Sequence, residues 1–193
     1  WESKKMKIAD YDRSYETLRF RIGVSGKYNF AAQSEGITST VFFRKLTKNT
    51  AYLRIREFAN STDTAVSKYN SFADSTQNII IDLRRNRGGF VDPCKNIIEL
   101  FLPSNTAYIQ LDSMRIHGTV CGKDTTIRWV SQNTGDVWEG KNITVLIDSN
   151  TASASEILAV SLRDGLSKTF IIGTKSLGKA IGQFLFHLQN NAG

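Results

Sequence analysis

Three short runs rich in β-branched residues, NIIIDL (78–83), NITVLID (142–148) and TFIIG (169–173), alternate with two stretches of helical apolar spacing, DPCKNIIELFLP (92–103) and SASEILAVSLRDG (153–165). An uninterrupted apolar run such as NIIIDL suits a strand buried on both faces, the habit of parallel sheets. Parallel neighbours need a crossover, and a helix supplies it. The alternation therefore predicts an α/β fold with a mostly parallel sheet and flanking helices. Asp92 is placed as the cap of the first helix, Pro93 as its first residue and Pro103 beyond its end. The second helix ends at Gly165.

Around this frame, AYLRIREF (51–58) reads as a further strand. STDTAVSKYNSFADS (61–75) reads as a helix with Ala65, Val66, Tyr69, Phe72 and Ala73 on one face, capped by Ser61 or Thr62. AYIQLD (107–112) is a strand, SMRIHGTVCG (113–122) and TTIRWV (125–130) a hairpin, and GQFLFHL (182–188) a closing apolar segment. Ahead of residue 50, ETLRFRIGVSG and STVFFRKL alternate like antiparallel strands. The expected division is a short strand-rich N-terminal segment over 1–49 and a core over 50–193.

Composition narrows the function. At 193 residues the chain holds one domain with a real core, or one domain plus an attached piece. A net charge of +7 invites a nucleic-acid reading. The positive residues are scattered, however, and the densest cluster, RRNR (84–87), sits in a turn before Gly88-Gly89. No nucleic-acid partner is expected. No run of 18 apolar residues exists, so no transmembrane segment is predicted, and no signal-peptide pattern opens the chain. Cys94 and Cys121 match no metal spacing; two buried thiols are favoured over one disulfide. Only His117 and His187 are present, so a histidine-rich metal site is excluded, and neither lies in a recognisable triad motif. No metal and no cofactor are expected.

In a parallel α/β sheet, ligands bind beyond the carboxyl ends of the strands. Three small, polar segments follow the three core strands: RRNRGG (84–89), SNTASAS (149–155) and TKSLGKA (174–180). They should meet on one sheet edge, bringing together a hydroxyl, a lysine and a glycine pair. A serine there needs a base, and a lysine serves when burial disfavours its ammonium form. Lys179 lies between Gly178 and an apolar segment, and Gln183 shares its face at a spacing of four. Acyl chemistry also needs N–H donors for an oxyanion, available at Gly88-Gly89 and at Ala154 at a helix start. Each element alone also has an ordinary reading: Ser153 as a helix cap, Lys179 as a solvated side chain, Gly88-Gly89 as a turn.

Together, IIIDLRRNRGGFVDPCKNIIELFLP, VLIDSNTASASEILAVSLRD and IIGTKSLGKAIGQ resemble the three signature blocks of the C-terminal processing (tail-specific) serine protease family, in order and approximate spacing. The resemblance covers about Thr50 to Leu188. It implies a core similar to the crotonase and Clp protease fold, carrying a Ser-Lys dyad. It puts the nucleophile at Ser153, three residues before Glu156, rather than at Ser155. It puts the base at Lys179, its positioning partner at Gln183, and the oxyanion donors at the N–H of Ala154 and one N–H of the Gly88-Gly89 pair. Asp82 and Arg84 match structural parts of the first block. The implied activity is that of a serine endopeptidase acting on unfolded or C-terminally exposed polypeptide, in a bacterial cell envelope.

The sequence departs from the family pattern in places. Thr151 replaces the usual first serine, Arg87 stands where proline is common, and the Ser-to-Lys spacing is one residue longer, within RDGLSKT. Residues 1–49 are too few for a complete PDZ domain and read as a reduced, PDZ-like remnant. Two rivals stand beside proteolysis: a non-catalytic relative binding a peptide or apolar ligand, as in the retinoid-binding repeats of the eye, and a crotonase-type enzyme acting on acyl-CoA. The presence of Ser153, Lys179 and Gln183 favours proteolysis over both. Nothing in the pattern indicates an oligomeric state.

Overall fold

The computed structural model describes residues 36–37, 40–111, 127–132, 138 and 140–179. They form strands β1 (Gly36–Ile37), β2 (Val41–Thr47), β3 (Thr50–Ile55), β4 (Asn78–Asp82), β5 (Ala107–Leu111), β6 (Ile127–Val130), β7 (Asn142–Ile147) and β8 (Thr169–Gly173). The helices are α1 (Thr62–Ser67), α2 (Asn70–Asp74), α3 (Val91–Phe101) and α4 (Ala154–Gly165). A six-stranded sheet runs β1-β2-β3-β4-β7-β8, and β5 pairs with β6 in a separate two-stranded sheet.

From β3 onward the large sheet is parallel, with Leu53 opposite Ile81, Ile81 opposite Val145, and Val145 opposite Ile171. Among the described residues, β1 and β2 are the antiparallel additions to this sheet. The sheet crosses the expected division between residues 49 and 50, because β2 pairs β3 from Val41–Ile55 to Thr47–Thr50. The N-terminal alternation of ETLRFRIGVSG lies outside the described residues.

Alternation along the strands builds the core. Ile79 and Ile81 of β4 and Ile143 and Val145 of β7 are fully buried. They meet Ile97, Ile98 and Phe101 of α3 and Leu158 and Leu162 of α4. Each such side chain stabilises the fold by roughly 1.5–3 kcal/mol relative to exposure. The opposite face of β4 and β7 is only half-buried at Ile80 and Thr144, so NIIIDL is not enclosed on both sides as expected. Trp138 packs edge-on to Phe43 and against Phe101, and its indole N–H donates to Asn70 Oδ1 at 2.6 Å.

Two helix readings are corrected. The helix expected over 61–75 breaks into α1 and α2 around Lys68-Tyr69. Ser67 Oγ donates back to the Asp63 carbonyl at 3.1 Å, a bond that competes with helix continuation. Ser61 takes the N-cap position of α1 as expected but makes no side-chain cap bond, and Thr62 Oγ1 accepts the Ala59 N–H and donates to the Glu57 carbonyl, closing the preceding turn. In α3 the cap position is Phe90, not Asp92. Asp92 sits instead in the first turn, where the helix dipole favours a carboxylate, and Pro93 follows it, where a missing N–H costs nothing. β6 pairs antiparallel with β5; the hairpin expected between 113–122 and TTIRWV falls on residues 113–122, which lie outside the described residues.

Candidate active site

Strands β4, β7 and β8 are neighbours and parallel, so their carboxyl ends share one edge. The segments that follow are stitched together. The Leu83 N–H donates to the Leu146 carbonyl at 2.9 Å, and the Ala152 N–H to the Asn86 carbonyl at 3.0 Å. The Leu177 N–H donates to the Thr151 carbonyl at 3.0 Å. Thr151, which stands where the family pattern has a serine, donates its hydroxyl to the Leu83 carbonyl at 3.0 Å.

Ser153 stands at the N-cap of α4 with φ 58° and ψ −123°. A non-glycine residue with positive φ costs about 1–3 kcal/mol and persists only where its surroundings over-determine it. Here the Ser153 carbonyl accepts the N–H groups of Glu156 (2.8 Å) and Ile157 (3.0 Å), and the Ser153 N–H donates to Glu156 Oε2 at 2.8 Å. Ser155 differs in kind. It is fully buried, and its hydroxyl donates to the Asn86 carbonyl at 3.1 Å.

Gly88 packs directly on this elbow. A Cβ at Gly88 would lie 2.8 Å from the Ser153 Cβ and 3.0 Å from the Ala154 nitrogen, and φ there is +99°. No L side chain fits that space or that backbone. The Gly88 N–H donates to Asn86 Oδ1 at 2.9 Å. Among the described residues, no acceptor takes the N–H of Gly89 or of Ala154, the first residue of α4.

Glu156 joins the elbow to the third segment. Its Oε1 accepts the Ser176 hydroxyl and the Gly178 N–H, both at 2.6 Å. Its Oε2 accepts the Ser153 N–H at 2.8 Å and the Lys179 N–H at 2.9 Å. Burial alone would raise this carboxyl. The bonds from Ser176, Gly178, Ser153 and Lys179 outweigh that and hold it below the usual range. Ser153 and Lys179, distant in sequence, are thus tied to one carboxylate. Gln183 lies outside the described residues, as do His117, Cys121 and His187.

Beneath the glycine turn, Asp82 is fully buried at the end of β4. Burial pushes its carboxyl up, but Arg84 overcomes this through Nε at 2.9 Å and Nη2 at 2.6 Å, with Tyr52 Oη adding a bond at 2.6 Å. The Arg84 N–H also donates to Asp82 Oδ1. This knot fixes where β4 turns. Cys94 of α3 is fully buried, and its thiol donates to the Ala154 carbonyl at 3.1 Å. Burial pushes that thiol up. Among the described residues, no group of three or more His, Cys, Asp or Glu side chains could hold a metal.

Two residues that organise the site, Asn86 and Glu156, received no role from the sequence. Glu156 served there only as a ruler for Ser153. The signal was the RRNRGG block itself, where an Asn two residues before a glycine pair forms an Asx turn.

A mostly parallel sheet with flanking helices, carrying at its edge a strained serine at a helix start packed on by a glycine pair, is the fold that solved S41 proteases share. The chain belongs to peptidase family S41, whose model matches residues 49–193. It is 30% identical over 148 residues to a carboxyl-terminal-processing protease of Synechocystis, covering 76% of this chain and 32% of the relative. It is 32% identical over 146 residues to a carboxy-terminal-processing protease of Bartonella bacilliformis, covering 72% and 31%. The chain therefore spans about a third of the length of these curated relatives. In fold it is similar to a solved photosystem II D1 C-terminal processing protease, with TM-score 0.54, 23% identity, and coverage of 67% of this chain and 31% of that one. It is also similar to a putative S41 protease from Bacteroides fragilis, with TM-score 0.58, 19% identity, and coverage of 77% and 42%.

Proposed function

We propose that this chain is the core of a serine endopeptidase that hydrolyses peptide bonds in unfolded or C-terminally exposed polypeptides, with Ser153 as nucleophile and Lys179 as general base. The observation that carries the reading is the Ser153 elbow: a half-buried serine in a costly backbone conformation, beside an unengaged helix N–H and a glycine that leaves the approach open. Ser155, the other candidate in the same alternation, is enclosed and already bonded.

In this reading Lys179 takes the proton from Ser153 Oγ as it attacks the peptide carbonyl. The developing oxyanion is held by the Ala154 N–H and one N–H of the Gly88-Gly89 pair. Lys179 then returns the proton to the leaving amine, leaving an acyl-enzyme. Water, deprotonated by Lys179, then attacks the ester; the acyl–Oγ bond breaks, Lys179 returns the proton to Ser153 Oγ, and the second product leaves. Gln183 orients the lysine. The bacterial sources of the relatives support a bacterial setting, and fractionation of the producing cell tests placement in the envelope.

The test is digestion of casein and a tagged peptide by the protein and its variants, read by mass spectrometry. Ser153→Ala and Lys179→Arg should abolish cleavage, the latter because a guanidinium cannot give up its proton. Ser155→Ala should retain cleavage to the extent that it remains folded. Full activity in Ser153→Ala or Lys179→Arg would overturn the assignment. Inert wild-type protein that binds peptide would point to the non-catalytic alternative.

A further inference from the structure

Asn86 is fully buried and makes five hydrogen bonds. Its Nδ2 donates to the Ile55 carbonyl at the end of β3 at 3.0 Å, and its Oδ1 accepts the Gly88 N–H at 2.9 Å. Its carbonyl accepts the Ala152 N–H at 3.0 Å and the Ser155 hydroxyl at 3.1 Å, and its own N–H donates to the Leu83 carbonyl at 3.1 Å. One side chain and its peptide thus bind the ends of β3 and β4 to the turn that carries Ser153.

The neighbouring bonds orient the glycine pair. The Phe58 N–H donates to the Gly88 carbonyl at 3.0 Å, and the Phe58 carbonyl accepts the Phe90 N–H at 2.7 Å, so Phe58 pairs with Gly89 in parallel fashion. In a parallel pairing the residue between those two bonds turns its own N–H and C=O away from the partner. The Gly89 N–H therefore points away from Phe58, while the Gly88 N–H is occupied by Asn86.

We infer that Asn86 is a positioning residue: by capturing the Gly88 N–H it sets the Gly88-Gly89 peptide so that Gly89, not Gly88, joins Ala154 in presenting a free N–H beside Ser153. This rests on the peptidase reading only for its consequence in turnover. The geometric part stands apart from it. Asn86→Ala removes both side-chain bonds and frees the Gly88–Gly89 peptide to rotate. Losing an aligned oxyanion donor typically lowers turnover about a hundredfold. Because the effect falls on the transition state, kcat should drop while KM stays within about threefold.

The experiment pairs amide hydrogen exchange with kinetics on the intact protein. In the wild type, the Gly88 amide should exchange slowly and those of Gly89 and Ala154 fast. In Asn86→Ala, Gly88 exchange should accelerate at least about tenfold while Ile81 and Val145, inside the sheet, keep their rates. Asn86→Asp retains the acceptor and should keep Gly88 protected and restore part of kcat. The inference is overturned if wild-type Gly88 exchanges freely while Gly89 is protected. It is equally overturned if Asn86→Ala leaves kcat unchanged, or lowers it only in proportion to the unfolded fraction. Wild-type protein that cleaves nothing would remove the peptidase reading. The exchange rates of Gly88 and Gly89 would then decide the inference by themselves.

Discussion

At Ser153 two demands compete. The backbone is held at φ 58°, which an L residue resists, and the side chain is the one the proposed chemistry needs. A glycine there would release about 1–3 kcal/mol of strain and lose roughly 0.5–1 kcal/mol to its greater freedom when unfolded. Ser153→Gly should therefore be about 1 kcal/mol more stable than Ser153→Ala, which keeps the strain, while both lack activity. Chemical denaturation of the two variants checks this, and equal midpoints would show that the elbow carries no strain. Glu156 adds a pH dependence. Its folded pKa lies below its unfolded value, so its contribution is fully present above the ordinary glutamate pKa of about 4.3 and is lost as pH falls through the depressed value. Acidification should loosen residues 176–179 from the elbow. Glu156→Gln, which keeps one acceptor oxygen for four donors, should be less stable at neutral pH and show a shallower loss on acidification. Parallel melting curves from neutral to acid pH read both effects.

At the level of elements, the legible features were those that depend on local periodicity. The runs NIIIDL, NITVLID and TFIIG became β4, β7 and β8, and SASEILAVSLRDG became a helix ending at Gly165, because a long apolar pattern bounded by turn residues leaves few alternatives. Boundaries set by tertiary contacts were not legible. Asp92 has the chemistry of a cap, yet Phe90 takes the cap position because its N–H is drawn to the Phe58 carbonyl across the molecule. The break between α1 and α2 depends on a side-chain bond at Ser67 and on Trp138 reaching Asn70 from 68 residues away. In the site, motif spacing could place Ser153, Lys179 and the glycines on one edge. It could not reveal that Gly88 is bonded by Asn86, since that is a matter of which way a peptide faces. The packing of α3 is testable directly. Ile98 is fully buried among the strands and helices, and Ile98→Ala should cost about 2–5 kcal/mol, measured by urea unfolding. A cost near zero would mean that α3 is not anchored through this face.

At the scale of the whole molecule, the sheet that holds the site does not end at the start of the matched family region. β2 continues the sheet ahead of it, with Val41 and Phe43 fully buried. The Asn49 carbonyl also accepts the N–H groups of Gln77 and Asn78. Removing residues 1–49 would strip one side of β3 and open that core. We predict that this truncated protein is unfolded or aggregated by circular dichroism and size-exclusion chromatography. A folded, cooperative product would show that β1 and β2 are dispensable.

The thiol of Cys94 has a different use. It is sealed beneath the first turn of α4, bonded to the same residue whose N–H faces the proposed reacting carbonyl. A reagent such as a maleimide cannot reach it without α3 and α4 separating. In a Cys121→Ser background, the rate of its modification would act as a stopwatch for opening of the layer under the nucleophile. Any ligand that seats itself at Ser153 and stiffens that layer would slow the clock, so occupancy could be followed with no substrate turned over at all.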